Sequence, residues 1–238
     1  MTKSDIQQTL ASFLKQQSFD QLYLAVSGGV DSMVLLHAAA QLNITQPIEL
    51  LHINHQLHNE ADQWAEHVSN TASQYGIKSR VLKVSLDPTL GMEEGARLAR
   101  YQAFASIVSE KDLLLTAHHF NDQKETFIFR SLRGTSISGL LGMQSINVVH
   151  NCRVGRPFLN TSKEAFLNYA EHHQLTWIED PSNQDLAFSR NAIRKAMGYL
   201  SNMKGFHITQ NHLEKQHAIV QHSCSQALQD VSVSPHII

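Results

Sequence analysis

The stretch LYLAVSGGVDSMVLLHAAAQL, residues 22–42, decides the fold. Leu22, Leu24 and Val26, with Tyr23 and Ala25 between them, form a short apolar run that reads as a buried strand. Val34, Leu35, Ala38 and Leu42 recur at helical spacing, which predicts a helix. Between the two lies Ser27-Gly28-Gly29-Val30-Asp31-Ser32. A polar, glycine-bearing turn between a strand and a helix is where an α/β sheet binds a ligand.

The chemistry of the turn favours phosphate. Gly28 and Gly29 permit backbone angles and close approaches that a Cβ forbids. A helix start presents unpaired N–H groups and a partial positive charge, and Ser27 and Ser32 add hydroxyls. Asp31 is the odd member, because a carboxylate repels phosphate. A bridging Mg²⁺ resolves the conflict, since it takes oxygen ligands from both. A plain helix cap by Asp31 or Ser32 is the competing reading. The turn has no lysine of the GxxxxGK(S/T) phosphate loop, and it lacks the GxGxxG spacing.

Strand and helix patterns alternate through the chain: strands over 48–54, 79–86 and 112–117, helices over 60–75 and 92–108, and a helix from about Asp122. This predicts an α/β fold with a parallel sheet flanked by helices. Residues 145–160 lose the rhythm and suggest a hairpin. Residues 162–174 read as a helix, followed by a short strand and polar loop in LTWIEDPSNQD. The turns after the first, second and fourth strands are SGGVDS, NHQLH and HHFND, all at the strand ends where such sheets bind ligands.

A chain of 238 residues with 42% apolar and 17% charged residues is globular in composition. Its opening, MTKSDIQQTLASFLKQQ, lacks the continuous apolar core of a secretory signal and reads as an amphipathic helix. No run reaches transmembrane length, so no membrane partner is expected. Cys152 and Cys224 form no CxxC, which suits a reducing cytoplasm. The net charge is −2, but its distribution is uneven. Residues 1–123 carry 8 Lys/Arg against 13 Asp/Glu, whereas residues 124–204 carry 10 against 6. A basic face for RNA and an ordinary solvated surface both fit that pattern.

Other segments carry chemistry with a plainer alternative beside it. Glu93, Arg97 and Arg100 share a helical face, either as a solvated ion pair or as phosphate-binding arginines oriented by a glutamate. His118 follows a strand, and Asp122 and Glu125 have the spacing of a helix cap; the alternative makes His118 and Asp122 site residues. Arg130 and Arg133 near the end of that helix suit its dipole. His52, His55 and His58 are spaced three apart, but no cysteine or acidic ligand completes a metal set, and the turn reads better as bordering a nucleotide base. Arg190 and Arg194 share a face of a late helix, either exposed or directed at substrate.

SGGVDS after a strand resembles the signature of the PP-loop ATP pyrophosphatases. The ordered set SGGVDS, HINHQLH, GMEEGARLARY, TAHHFNDQKET, RGTSISGL, Arg156-Pro157 and EDPSNQDLAFSRNAIR resembles the catalytic domain of the tRNA(Ile)-lysidine synthase family over roughly residues 20–195. The resemblance implies an adenine nucleotide alpha hydrolase-like (PP-loop) domain over 1–204. Residues 205–238 would be a short C-terminal tail or a truncated linker to further C-terminal domains of longer members. It implies a ligase that uses ATP and Mg²⁺ to adenylate the wobble cytidine of a CAU-anticodon tRNA(Ile), then joins L-lysine to form lysidine. Another PP-loop tRNA-modifying enzyme, such as a cytidine thiolase, and a non-catalytic ATP-binding module are the alternatives.

By the same resemblance, Ser27, Gly28, Gly29, Val30, Asp31 and Ser32 would hold ATP, with Asp31 at the metal-bound phosphates. Arg97, His118, Asp122 and Glu125 fall on motif positions associated with the active centre. Arg100, Arg133, Arg190 and Arg194 are candidates for RNA contact. The implied location is the cytoplasm, and a homodimer is a possible assembly. The chain departs from the family pattern at Gln56 and Ser136, where glycine is usual.

Overall fold

The computed structural model describes residues 3–135, 142–181 and 189–201. The chain divides into two compact units, Met1–Gln123 with Gln144–Asn183, and Lys124–Met143 with Gln184–Ile238. Ser136, the 182–188 segment and the 205–238 tail lie outside the described residues.

The first unit is built on a six-stranded sheet. Helix α1 (Lys3–Lys15) leads into β1 (Leu22–Ala25), α2 (Val30–Ala40), β2 (Ile48–Asn54), α3 (Ala61–Gln74), β3 (Lys78–Lys83), α4 (Met92–Ala105) and β4 (Leu113–Leu115). Then follow α5 (Phe120–Leu132), β5 (Ile146–Val149), β6 (Cys152–Gly155) and α6 (Lys163–His172), with α7 (Ser189–Ser201) in the second unit. The strand order is β3-β2-β1-β4-β6-β5. β1 pairs in parallel with β2 (Leu22 opposite Ile48) and with β4 (Leu22 opposite Leu113), and β6 adds in parallel beside β4. The expected parallel sheet therefore forms, with one antiparallel strand, β5, at its edge. The stretch that lost its rhythm in the sequence is this hairpin, which turns through His150 and Asn151 at positive φ (47° and 64°).

The period of two in the strands sorts the core onto two faces. Leu22, Leu24, Leu50, Leu113 and Leu115 pack with α1, α2, α3 and α6 through Leu10, Val34, Leu35, Val68 and Phe166. Tyr23, Leu51, Leu114 and Val154 point the other way, onto Tyr101 and Phe104 of α4. Helix α2 is buried from Ser32 to Ala39, so it carries little amphipathic signal and lies directly on the sheet. The β3 edge is exposed and carries Lys78, Arg80 and Lys83, charges that discourage pairing with another chain. Arg80 Nε reaches Glu49 Oε1 at 2.9 Å.

The strand expected in LTWIE, residues 175–179, does not form. The segment runs instead beneath the SGGVDS turn, where the Ile178 N–H donates to the Gly28 carbonyl at 2.9 Å. The Leu175 N–H donates instead to the Ala170 carbonyl of α6, so these two amides pair with a helix end and a turn and not with a ladder.

Candidate active site

The parallel register places the ends of β1, β2 and β4 on one edge, and the turn after β1 is organised from within. Ser32, 6% exposed, accepts from the Ser27 N–H (3.2 Å) and the Gly28 N–H (3.1 Å) and donates to the Gly29 carbonyl (2.8 Å). Its hydroxyl is thus used to close the turn. Gly28 has φ +98°, and a Cβ there would lie 2.6 Å from Ile178 Cδ1 and 3.2 Å from Val68 Cγ2. The backbone angle requires glycine, and a Cβ would also force the end of the Ile178 side chain to move. The first hydrogen bond of α2 runs from the Met33 N–H to the Gly29 carbonyl, at 3.0 Å. The amides of Val30, Asp31 and Ser32 therefore have no acceptor within the helix, and they form the anion-seeking end of α2.

Asp31 stands at the centre of the described polar contacts. Lys163 Nζ lies 2.6 Å from its Oδ1 and 2.8 Å from its Oδ2. His119 Nε2 lies 3.6 Å from Oδ2. Burial acts to raise the Asp31 pKa, but the His119 hydrogen bond and the Lys163 charge outweigh it and hold the carboxyl below its ordinary value. His119 in turn faces Asp122: Nδ1 is 3.3 Å from Asp122 Oδ2, and the His119 backbone N–H donates to that oxygen at 2.8 Å. Asp31, His119 and Asp122 thus form a chain of contacts from the β1 turn to the first turn of α5.

The histidine of this chain is His119, 5% exposed, rather than His118. His118 Nδ1 lies 2.8 Å from Thr116 Oγ1. Adjacent residues at a strand end point in opposite directions, so sequence order alone does not choose between them. No motif in the sequence marks Lys163. Its one signal was a lysine at the first position of a helix, the end where a cation is disfavoured.

The remaining candidates are more dispersed. The Arg97 guanidinium sits over the Tyr101 ring, 5.0 Å from its centroid. Arg100 is exposed, and its charge helps lower the pKa of His55. His52 is buried, with Nδ1 2.9 Å from the Val26 carbonyl, whereas His58 stacks on Trp64 at 4.7 Å. The three histidines therefore diverge. Among the described residues no group of three or more His, Cys, Asp or Glu could hold a metal. A Mg²⁺ that takes one carboxylate and completes its shell with phosphate and water fits the donor set that Asp31 offers.

In the second unit, Glu125 is buried and both its oxygens are taken by Arg194, Nε at 2.7 Å and Nη2 at 3.1 Å. Arg133 lies over the Phe129 ring at 4.2 Å, and Arg190 falls in the first turn of α7. No described helix is long and apolar enough to cross a membrane.

A parallel sheet whose first strand runs through a twin-glycine turn into a helix N-terminus, with a carboxylate in place of the loop lysine, defines a nucleotide-binding α/β domain. More specifically, the chain belongs to the PP-loop domain family, whose profile matches residues 2–199. Membership implies use of ATP. The chain is 38% identical over 212 residues to a tRNA(Ile)-lysidine synthase of Actinobacillus pleuropneumoniae, covering 87% of this chain and 50% of that protein. It is 40% identical over 194 residues to a tRNA(Ile)-lysidine synthase of Haemophilus ducreyi, covering 82% and 44%. The chain therefore spans about half the length of the curated relatives it matches. Among solved structures, the U34-tRNA thiolase NcsA from Methanococcus maripaludis superposes with a TM-score of 0.69 over 90% of this chain and 78% of that one. At 14% identity, that likeness shows the fold alone.

Proposed function

We propose that this chain carries the catalytic domain of a tRNA(Ile)-lysidine synthase, within residues 1–204. The observation that carries the reading is the β1–SGGVDS–α2 turn with Asp31 at its centre, in a chain 38–41% identical to proteins of that name. In the proposed reaction, the O2 of the wobble cytidine in a CAU-anticodon tRNA(Ile) attacks the α-phosphorus of ATP, and pyrophosphate leaves. The ε-amine of L-lysine then attacks C2, and AMP leaves with the oxygen. Such a reaction belongs in the cytoplasm, and a homodimer is compatible with it.

Ser27 to Ser32 are proposed to bind the pyrophosphate end of ATP, with the free amides of α2 as donors. Asp31 is the proposed ligand for Mg²⁺, which when bound neutralises charge on the phosphates. Asp122, in contact with His119, is proposed to act with it in the same reaction. Arg97, His118 and Glu125 are proposed to serve the same reaction, Glu125 by orienting Arg194. Arg100, Arg133, Arg190 and Arg194 are proposed to meet RNA phosphate.

The test is to incubate the protein with ATP, labelled lysine and a panel of tRNAs. Label should enter only the CAU-anticodon isoleucine tRNA, and Asp31→Ala should abolish AMP release. Full activity in that variant would remove the assigned role of the loop.

A further inference from the structure

The turn after β1 binds no lysine of its own sequence, yet an ammonium stands beside it. We propose that Lys163 is the phosphate-contacting lysine of this site, delivered from the first turn of α6 instead of from the loop. The inference rests on the nucleotide reading given above.

Three observations carry it. The first is position: Nζ lies 2.6 and 2.8 Å from the two oxygens of Asp31, the fifth of the six turn residues Ser27–Ser32. The second is that Lys163 is held there against local preference. Ser162 caps α6, its side chain accepting from the Ala165 N–H, so Lys163 is the first helical residue. A cation at that end opposes the helix dipole, and departures of this kind gather at functional sites. The third is that its backbone is fixed. The Lys163 N–H donates to Asn121 Oδ1 at 3.4 Å, the Phe120 N–H donates to the Thr161 carbonyl at 2.9 Å, and Thr161 is 2% exposed. The start of α6 is thereby tied to the start of α5, and the ammonium hangs from an anchored origin.

The pair also has the right logic for exchange. With no anion present, Lys163 and Asp31 neutralise each other, and the side chains stay about a third exposed, at 33% and 30%. A magnesium-bound triphosphate brings a cation for Asp31 and an anion for Lys163. Each group then keeps an opposite charge, and the lysine turns from carboxylate to phosphate without being left unpaired.

Calorimetric titration of MgATP and of adenosine into wild type, Lys163→Gln, Lys163→Arg, Asp31→Asn and the Lys163→Gln/Asp31→Asn double variant tests this. Lys163→Gln should weaken MgATP binding by about tenfold to a hundredfold, as expected for a lost charge-assisted contact, and leave adenosine binding unchanged. Lys163→Arg should restore most of the affinity. In the Asp31→Asn background the loss should persist, because the lysine acts on phosphate and not only by holding Asp31. Undiminished MgATP binding by Lys163→Gln overturns the inference alone, as does an Asp31→Asn protein that still binds MgATP and is indifferent to the further Lys163→Gln change. Failure of the wild type to bind MgATP overturns the nucleotide reading, and this inference with it.

Discussion

Gln56 holds φ at +55°, a region that costs an L-residue about 1–2 kcal/mol. This is the position after His55 where the resembled family usually has glycine. The cost is offset locally: the Gln56 N–H donates to Asn54 Oδ1 at 2.9 Å, and the buried Asn54 donates onward to Asp62 Oδ1 at 2.7 Å. The turn is therefore kept without its glycine. Beside it, both ring nitrogens of His55 are buried without a hydrogen-bond partner among the described residues, and desolvation, followed by the charges of Arg100 and His52, pushes its pKa down to about 4. The unfolded chain protonates this ring near 6.5, so between that value and about 4 the unfolded state binds the extra proton. The His55 contribution is thus fully present above about pH 6.5 and is lost as pH falls toward 4. Urea unfolding at pH about 7 and about 4.5 should show a smaller acid loss in His55→Gln than in wild type. Equal losses would mean that His55 is protonated in the folded protein.

At the scale of elements, the turn between β1 and α2 depends on the segment beneath it. Gly28→Ala forces an unfavourable φ of +98° and drives a methyl to 2.6 Å from Ile178 Cδ1. The side chain of Ile178 can shift, but the backbone angle cannot be relieved. We expect destabilisation of about 1–3 kcal/mol by chemical denaturation, and weaker MgATP binding. A fully stable Gly28→Ala protein would mean that the turn has another accessible conformation. The same element shows where sequence reading stops. SGGVDS was legible because its residue types have few other uses together in that context. Helix α6 was legible as a helix, but its lysine was not legible as a partner of Asp31. Their separation of 132 residues is bridged by the packing of α2 and α6 on one face of the sheet. The sequence does not separate His119 from His118 for a similar reason, since the direction in which each ring leaves the backbone at the end of β4 is set by tertiary contacts.

For the whole molecule, charge is the relevant quantity. Residues 124–204 carry 10 Lys/Arg against 6 Asp/Glu, a difference of +4 in a chain of net charge −2. A phosphate-contacting role for this region predicts salt-sensitive association. Filter binding of the CAU-anticodon tRNA should weaken at least about tenfold between about 50 and 200 mM salt. An affinity indifferent to salt would count against the arginine assignments.

The sequence by itself determined the alternation of strands and helices, the glycine turn after β1, and the family, because these rest on local periodicity and on residues close together in the chain. Only the tertiary structure decided which distant residues meet: Lys163 and His119 at Asp31, Arg194 at Glu125, and the Ile178 backbone at Gly28. Those pairings follow from strand register and from helix packing, which are properties of the assembled sheet and core and leave no mark in any short stretch of residues.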